Sequence, residues 1–479
     1  MGQDQNMPDD TDIVPDDEQL GQEEAYEVPQ TDVHLSREFV QALQRALKDE
    51  DETLILEMLE ELHAADVADI LETLSSQQRR KLIELGSKGF DPEVLSEVEG
   101  EAQDDLYEHM PNDLIADAVT ELDTDDAVYV IEELGDEDRE EVLRALASDD
   151  RVAIEESLSY PEDSAGRLMQ RDLVSVPEFW TVGQTIDYLR SENSNIPEDF
   201  YDIFVVDPGH RVVGTVPLSR VMSSKRAQTI ISIMNDDPHI VDASAEQEEV
   251  AYQFTKYHLI STAVVDSAKR LVGVITVDDV VDVIEESAEA DILALAGVRE
   301  ESGLNESFIE IVKGRFTWLF INLGTAILAS VVIGLFEATI EQMVALAVLM
   351  PIVASMGGNA GTQTMTVAVR AIATKELNAS NAVRILNREL MAALLNGGIL
   401  ALLSGLVAMI WFKSVLLGSV FAAALIVNMF FAGLSGLLIP MTLHKLDIDP
   451  AIASSVFVTT ITDVIGFFAF LGLAAIFLF

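Results

Sequence analysis

The sequence predicts a multidomain membrane protein: an all-α acidic domain, an α/β domain made from one module used twice, a connecting helix, and a transmembrane domain of five α-helices. Three observations predict it. The 479 residues carry 29 basic and 83 acidic side chains, a net charge of −54, yet 49% of them are hydrophobic. Residues 308–479 hold eight basic and eight acidic side chains, so the whole net charge lies in the first 307 residues. After position 316 the apolar residues form long, nearly uncharged runs that no soluble core absorbs.

Composition also bounds the function. A chain without cysteine has no disulfide framework, thiolate zinc site or cysteine nucleophile, and it suits a reducing compartment. The acidic charge repels nucleic acid, which is excluded as a partner, and favours cations. Acid enrichment for solubility or for a high-salt habitat is the competing reading. Neither a Walker A pattern, nor a kinase signature, nor a clustered His, Cys or Ser constellation is present, so the chain is expected not to be an enzyme.

Residues 1–33 are rich in Asp, Glu, Gln and Pro, lack the basic and apolar regions of a signal peptide, and read as a disordered acidic tail. From 34 to 163 apolar residues recur at helical spacing, as in Leu54, Met58 and Leu62. The phrases LHAADVADILETL at Leu62 and LDTDDAVYVIEEL at Leu122 each read as an Asp-bearing helix start followed by an amphipathic run. They point to stacked helical hairpins, with a plain bundle as the alternative.

Between 164 and 286 the texture becomes β-branched. RVVGTVPLSRVM at Arg211 and RLVGVITVDDVV at Arg270 lie 59 residues apart, each after a helix and a short V-V-D strand. This repeat resembles a CBS pair, which implies two α/β modules, 164–226 and 227–286, about a pseudo-twofold axis. CBS pairs often take adenine nucleotides. The second module has Gly273, Thr276 and Asp279 in a G-x-x-T-x-x-D arrangement suited to a ribose, whereas the first has Pro217 and Arg220 there. ATP is therefore a possible second ligand.

A helical connector, 287–307, leads to spans expected near 316–336, 343–371, 390–412, 415–443 and 452–479, each long enough for a hydrocarbon core of roughly 30 Å. Lys313, Arg315, Arg370, Lys375, Arg384, Arg388 and Lys445 fall on the side of the N-terminal domains and Lys413 on the other. The positive-inside rule then places the soluble half in the cytoplasm and the C-terminus outside, in a cell inner membrane.

The fifth span carries Asp463 in the run TTITDVIGFF. An intramembrane carboxylate costs a few kcal/mol, roughly 3 on insertion scales, so it is expected to face a bundle interior or a water-filled path and attract a cation. The alternative is a structural hydrogen bond to a neighbouring helix. Thr459, Thr460 and Thr462 lie within a turn on its N-terminal side. In the second span PIVASMGGNAGTQT, from Pro351, is poor continuous helix: Gly357 and Gly358 permit a break or a close approach, and Asn359, Thr362 and Gln363 offer oxygens to a hydrated ion. Ordinary small-residue helix packing is the alternative there. Glu337 and Glu341, after the first span, form either an outer cation-concentrating mouth or a solvated loop.

Acidic residues crowd the end of the second module and the connector: Asp278, Asp279, Asp282, Glu285, Glu286, Glu289 and Asp291. Positions 278, 282, 285 and 289 share one helix face. Two carboxylates about 5 Å apart repel by roughly 3 kcal/mol at an effective dielectric near 20. Crowding this row against Asp125 and Asp126, or against a partner subunit, therefore calls for divalent cations. Magnesium suits such oxygen-only ligands because it keeps its hydration water.

The set now resembles the MgtE family of magnesium channels along nearly the whole chain. YPEDSAGRLM at Tyr160 is similar to the entry of the family's first CBS module, MGGNAGTQ at Met356 to its second-span signature, and DPAIASSVFVTTITDVIG at Asp449 to its fifth-span signature. The resemblance implies a homodimer in membrane lipid that conducts Mg²⁺ and other divalent cations. By it Asp463 is the main pore carboxylate, Asn359 stands beside it, and the connector is a plug that closes when cytosolic Mg²⁺ compacts the acidic domains. This sequence departs from the family pattern at Val456, usually proline, and at Ser287 and Ala290, commonly acidic. A membrane-anchored sensor that does not transport is the reading from another class.

Overall fold

The structure, a computed structural model, describes residues 36–60, 62–191, 196–197, 200–298, 308–377, 380–446 and 448–479. The expected acidic tail and the second part of the connector, 299–307, lie outside the described residues. The chain divides into two units, Met1–Val98 and Glu99–Phe479.

The first unit contains α1 (Arg37–Asp49), α2 (Glu52–Leu59), α3 (Ala64–Thr73), α4 (Ser76–Gly86) and α5 (Val94–Glu97). Side-chain caps explain where they begin: Ser36 accepts from the Phe39 amide, Asp51 from that of Leu54, and Ser75 with Gln78 forms a capping box. Leu43, Ile55, Ile70, Leu71, Leu82 and Ile83 are fully buried and form its core.

The second unit opens with helices of ten residues that start every twelve: α6 (Gly100–His109), α7 (Asn112–Glu121), α8 (Thr124–Glu133), α9 (Asp136–Ala145) and α10 (Ser148–Ser157). The residue after each of the first four, Met110, Leu122, Leu134 and Leu146, is extended, with ψ between 133° and 154°. Such a residue ends the helix and drops an apolar side chain into the next layer, so α7 packs on α9 and α8 on α10. The expected stacked array is present, with a twelve-residue repeat.

Two α/β modules follow. The first has β1 (Ser175–Pro177), α11 (Val182–Leu189), β2 (Asp202–Val206), β3 (Val212–Pro217) and α12 (Leu218–Ser223); the second has β4 (Ile240–Asp242), α13 (Gln247–Tyr257), β5 (Ser261–Val265), β6 (Leu271–Thr276) and α14 (Val277–Leu295). Each sheet pairs its first two strands parallel and its last two antiparallel, with a bulge at the same place, Val205/Val206 and Val264/Val265. Arg211 bridges Arg270, so the two copies meet at equivalent residues, and Phe204, Ala263, Leu271 and Val274 share one apolar cluster. The modules also exchange their entry segments. Gln170 pairs with Val274 of the second module, and Asn235 with Thr215 of the first. Residues 164–170, expected in the first module, therefore pack in the core of the second, where Ala165 and Met169 are fully buried. Gly214 and Gly273 make room for this exchange: a Cβ on Gly273 would lie 2.8 Å from the Gln170 carbonyl oxygen.

The remaining helices are α15 (Phe308–Gly334), the short α16 (Glu337–Gln342), α17 (Ala345–Ala373), α18 (Ala382–Phe412), α19 (Val415–Lys445) and α20 (Pro450–Phe477). Among the described residues, five helices are long and apolar enough to cross a membrane, matching the five expected spans. α19 is the central element, packed on α17, α18 and α20, and α15 lies against α20. The glycine-rich part of the second span is no break, since α17 runs unbroken through Pro351 and Gly357–Gly361. Its glycines serve close approach. A Cβ on Gly436 of α19 would sit 2.7 Å from the backbone oxygen of Gly361. Gly436→Ala is expected to push α17 and α19 apart at a cost of about 1–3 kcal/mol, read as a lower melting temperature of the solubilised protein. An unchanged melting temperature would contradict that contact.

Candidate functional site

Within the membrane half the site is set by α20. Asp449 caps it, accepting from the Ala451 amide at 2.7 Å, and Pro450 begins it. Val458, Thr462 and Gly466, at intervals of four, form its packed seam: Val458 and Thr462 oppose Gly361 of α17, and Gly466 opposes Asn428 of α19. Asp463 follows Thr462 by one residue, about 100° around the helix, so it stands at the edge of that seam. It is half-buried and has neither a hydrogen bond nor an ion pair with any described residue. At 1.5 Å per residue it lies roughly 20 Å from the start of α20, well inside a hydrocarbon layer. The Thr459 hydroxyl donates to the Ser455 carbonyl at 2.9 Å and the Thr460 hydroxyl to that of Val456 at 2.6 Å. Their protons are thereby committed to the helix and their lone pairs remain as acceptors.

The second-span residues separate. Gly357 is buried against Asn428, whose amide nitrogen would lie 2.1 Å from an added Cβ, whereas Gly358 meets nothing within 4 Å. Asn359 lines a cavity of about 410 Å³ between α17 and α18, together with Gln363, Asn396 and Glu389. Asp463 does not line that cavity, so one chain does not gather Asn359 and Asp463 into a common chamber. Glu337 and Glu341 are both exposed on α16.

At the other end of the bundle, Ala294 of α14 is buried among Met365 and Val369 of α17 and Ala451 and Val458 of α20, with Leu295 beside it. The described part of the connector, 287–298, is no separate helix. α14 runs from the second module past position 287 as one rod and abuts the two helices that carry Asn359 and Asp463.

The acidic cluster centres on two helix N-termini. Asp279, in the first turn of α14, accepts from the Thr276 hydroxyl at 2.8 Å and from Gln170 at 3.3 Å. The Asp125 carboxyl, in the first turn of α8, packs against it, and its buried Oδ1 atom lacks any hydrogen-bond partner. Arg167 holds this arrangement, donating to the Glu132 carboxylate and to the Leu158 and Tyr160 carbonyls. Burial, less the help of the Thr276 bonds, pushes the Asp279 carboxyl up to about 6. Burial and then the charges of Asp279, Asp126 and Asp123 hold Asp125 well above the usual carboxylate range. Asp282 is raised by burial and by Glu285 and Asp278. Asp282, Glu286 and Glu289 are exposed, and Asp291 is half-buried. The structure thus gathers Asp125, Asp126 and Asp279, and leaves Asp278, Asp282, Glu285 and Glu289 as a solvated row in one chain.

The G-x-x-T-x-x-D arrangement acquires a structural account: Gly273 admits the exchanged strand, and Thr276 with Asp279 caps α14. Sequence reading missed one cluster. Asp105, Glu108 and His109 of α6 hold three ligand atoms within 4.8 Å of one another, a grouping that their i, i+3, i+4 spacing shows.

Comparison with known proteins agrees with this architecture. The MgtE intracellular N domain matches residues 62–163, the CBS domain matches 165–226 and 230–286, and the MgtE divalent cation transporter domain matches 350–473. The magnesium transporter MgtE of Thermus thermophilus is 32% identical over 447 residues, covering 91% of this chain and 98% of the relative. That of Bacillus subtilis is 30% identical over 421 residues, covering 88% and 93%. Among solved structures, the cytosolic domain of the Mg²⁺ channel MgtE in complex with ATP is 31% identical over 51% of this chain and 99% of its own, with a TM-score of 0.47. A relative of this identity, matched from end to end, places the chain in the MgtE family of magnesium transporters.

Proposed function

We propose that the chain is a homodimeric, Mg²⁺-selective channel of the cell inner membrane, driven by the electrochemical gradient and closed by cytosolic Mg²⁺. The observation that carries the reading is Asp463: a carboxylate deep in a span, with no protein partner, at the edge of a packed helix seam. A dication that keeps its water satisfies such a group through the hydration shell, with the acceptor oxygens of Thr459 and Thr460 one turn away. Because Asp463 lies at the edge of one bundle, a second copy supplies the opposite wall, which also unites Asn359 and Gly358 with the path. Glu337 and Glu341 would concentrate cations at the outer mouth. The soluble domains lie in the cytoplasm, as the basic residues direct.

For closure, the donor set fits a regulatory cation: Asp125 and Asp279 are two half-buried, facing carboxyls, one with a buried orphan oxygen. Asp125, Asp126 and Asp279 would hold it, and Asp282, Glu286, Glu289 and Asp291 would recruit more along α14. Bound Mg²⁺ supplies the charge that lets these acids stay together. α14 then remains seated on α17 and α20, an arrangement that suits a closed inner mouth. A nucleotide such as ATP at Gly273, Thr276 and Asp279 would compete with Asp125 for the same carboxylate, which makes it an optional modulator.

Purified protein in liposomes tests this, with cation influx measured against internal Mg²⁺. Influx is expected to fall as internal Mg²⁺ rises from micromolar to several millimolar, and to lose that dependence when residues 1–307 are deleted. Influx that ignores internal Mg²⁺ in the intact protein overturns the gating reading. Parallel assays with Mn²⁺, Co²⁺ and Ni²⁺ measure selectivity, because oxygen ligands sort ions by size and hydration.

A further inference from the structure

The turn between α17 and α18 encloses a cavity of about 580 Å³ whose chemistry differs from the rest of this acidic chain. Arg370, in the last turn of α17, and Arg384, in the first turn of α18, both line it, together with Arg388 one turn further on. Arg388 bonds Glu389 at 3.2 Å. Arg370 and Arg384 have no ion pair with any described residue, although Glu376 and Glu389 also line the cavity. The Asn381 amide donates to the Glu376 carbonyl at 2.7 Å beside the opening. The other wall is apolar, formed by Ile385 of α18 and Leu437 of α19.

We propose that this cavity binds the headgroup of an anionic phospholipid from the inner leaflet. Depth selects a lipid: both unpaired guanidinium groups sit at helix ends that meet the interface, where a phosphodiester lies. Guanidinium forks match phosphate oxygens in pairs, and Ile385 and Leu437 offer an apolar wall beside them for the start of an acyl chain. A volume within the range of ligand sites accommodates a headgroup with its glycerol. Basic pockets between transmembrane helices on the cytoplasmic side are the expected location for such lipids. Arg370, Arg384 and Arg388 are exposed, and all three line one concave wall. The inference rests on the membrane placement of α17 and α18 and not on the ion that passes, so a failed flux assay leaves it standing.

The test uses the full-length protein in detergent, with phosphatidylglycerol or phosphatidylcholine supplied and retained lipid counted by native mass spectrometry. Phosphatidylglycerol is expected to be retained in preference. Arg370→Gln with Arg384→Gln is expected to weaken that retention about thirtyfold, roughly fivefold per arginine near a membrane surface. Lys313→Gln with Arg315→Gln, at the inner end of α15, is expected to leave it unchanged. Arg370→Lys with Arg384→Lys keeps the charge and removes the fork, so it should fall between and guard against misfolding of the Gln pair. Equal retention by the two Gln pairs, equal retention of phosphatidylcholine, or displacement by millimolar inorganic phosphate would each overturn the proposal.

Discussion

Replacing Asp463 with asparagine is expected to lower Mg²⁺ influx into liposomes about a hundredfold while leaving the melting temperature of the solubilised protein nearly unchanged. At roughly 5 Å, through one water, a carboxylate and a dication attract by about 7 kcal/mol at an effective dielectric near 20. Competition from bulk hydration removes much of this, and about 2.7 kcal/mol, some two-fifths, already corresponds to roughly a hundredfold in occupancy. Asparagine keeps the volume and an oxygen, so the α17–α19–α20 seam is retained: Thr462 and Gly466 pack it, and Asp463 stands beside it. Asp463→Glu keeps the charge and should retain part of the influx. Thr459→Val with Thr460→Val should cost less than Asp463→Asn, since those hydroxyls donate to α20 carbonyls and offer only lone pairs. Unchanged influx in Asp463→Asn would remove the carboxylate from the path and favour the non-transporting sensor.

Much of this architecture is legible in the sequence because its signals are local or repetitive. Five apolar runs give five helices, and the 59-residue offset that pairs Arg211 with Arg270 foretells the pseudo-twofold bridge between those residues. The exchange of entry segments is not legible, because Gln170 pairs with Val274 more than a hundred positions away and local pattern carries no such register. The twelve-residue period was available in Val98, Met110, Leu122, Leu134, Leu146 and Leu158. It is masked by the stronger 3.6-residue signal inside each helix. For the site, the depth of Asp463 follows from span length alone. The course of α17 does not, since propensity counts Gly and Pro as breakers while close packing on Gly436 and Asn428 holds the helix together. The row of acids on α14 was visible as spacing. That Asp279, beside the row, faces Asp125 depends on how α8 is carried by the array, which charge counting does not reveal.

That facing pair sets the second large effect, Asp125→Asn, which is expected to close the channel at about tenfold to thirtyfold lower internal Mg²⁺. Two charged carboxyls in this place need a counter-charge, either a cation or a proton. Burial raises both carboxyls, so holding the pair together without a cation has a cost, met by a proton or by repulsion between charges. The compact assembly bears that cost whenever Mg²⁺ is absent. Asparagine at 125 donates to Asp279 with no proton taken up, so the compact state no longer waits for the ion. A pH signature accompanies this. Asp279 has a folded value above its unfolded 3.8, so the assembled state gains from protonation below about 6 and loses that gain as pH rises through it. In Mg²⁺-free buffer the melting temperature of the intact protein should therefore drop by a few degrees, roughly 2–4 °C per kcal/mol, between pH 5 and pH 7.5. Millimolar Mg²⁺ should flatten that slope, because it replaces the proton, and Asp279→Asn should flatten it without Mg²⁺. If Asp125→Asn instead requires more Mg²⁺ to close, the pair acts chiefly as a ligand and its repulsion is not what holds the domains apart. If the slope persists in Asp279→Asn, the titrating group lies elsewhere.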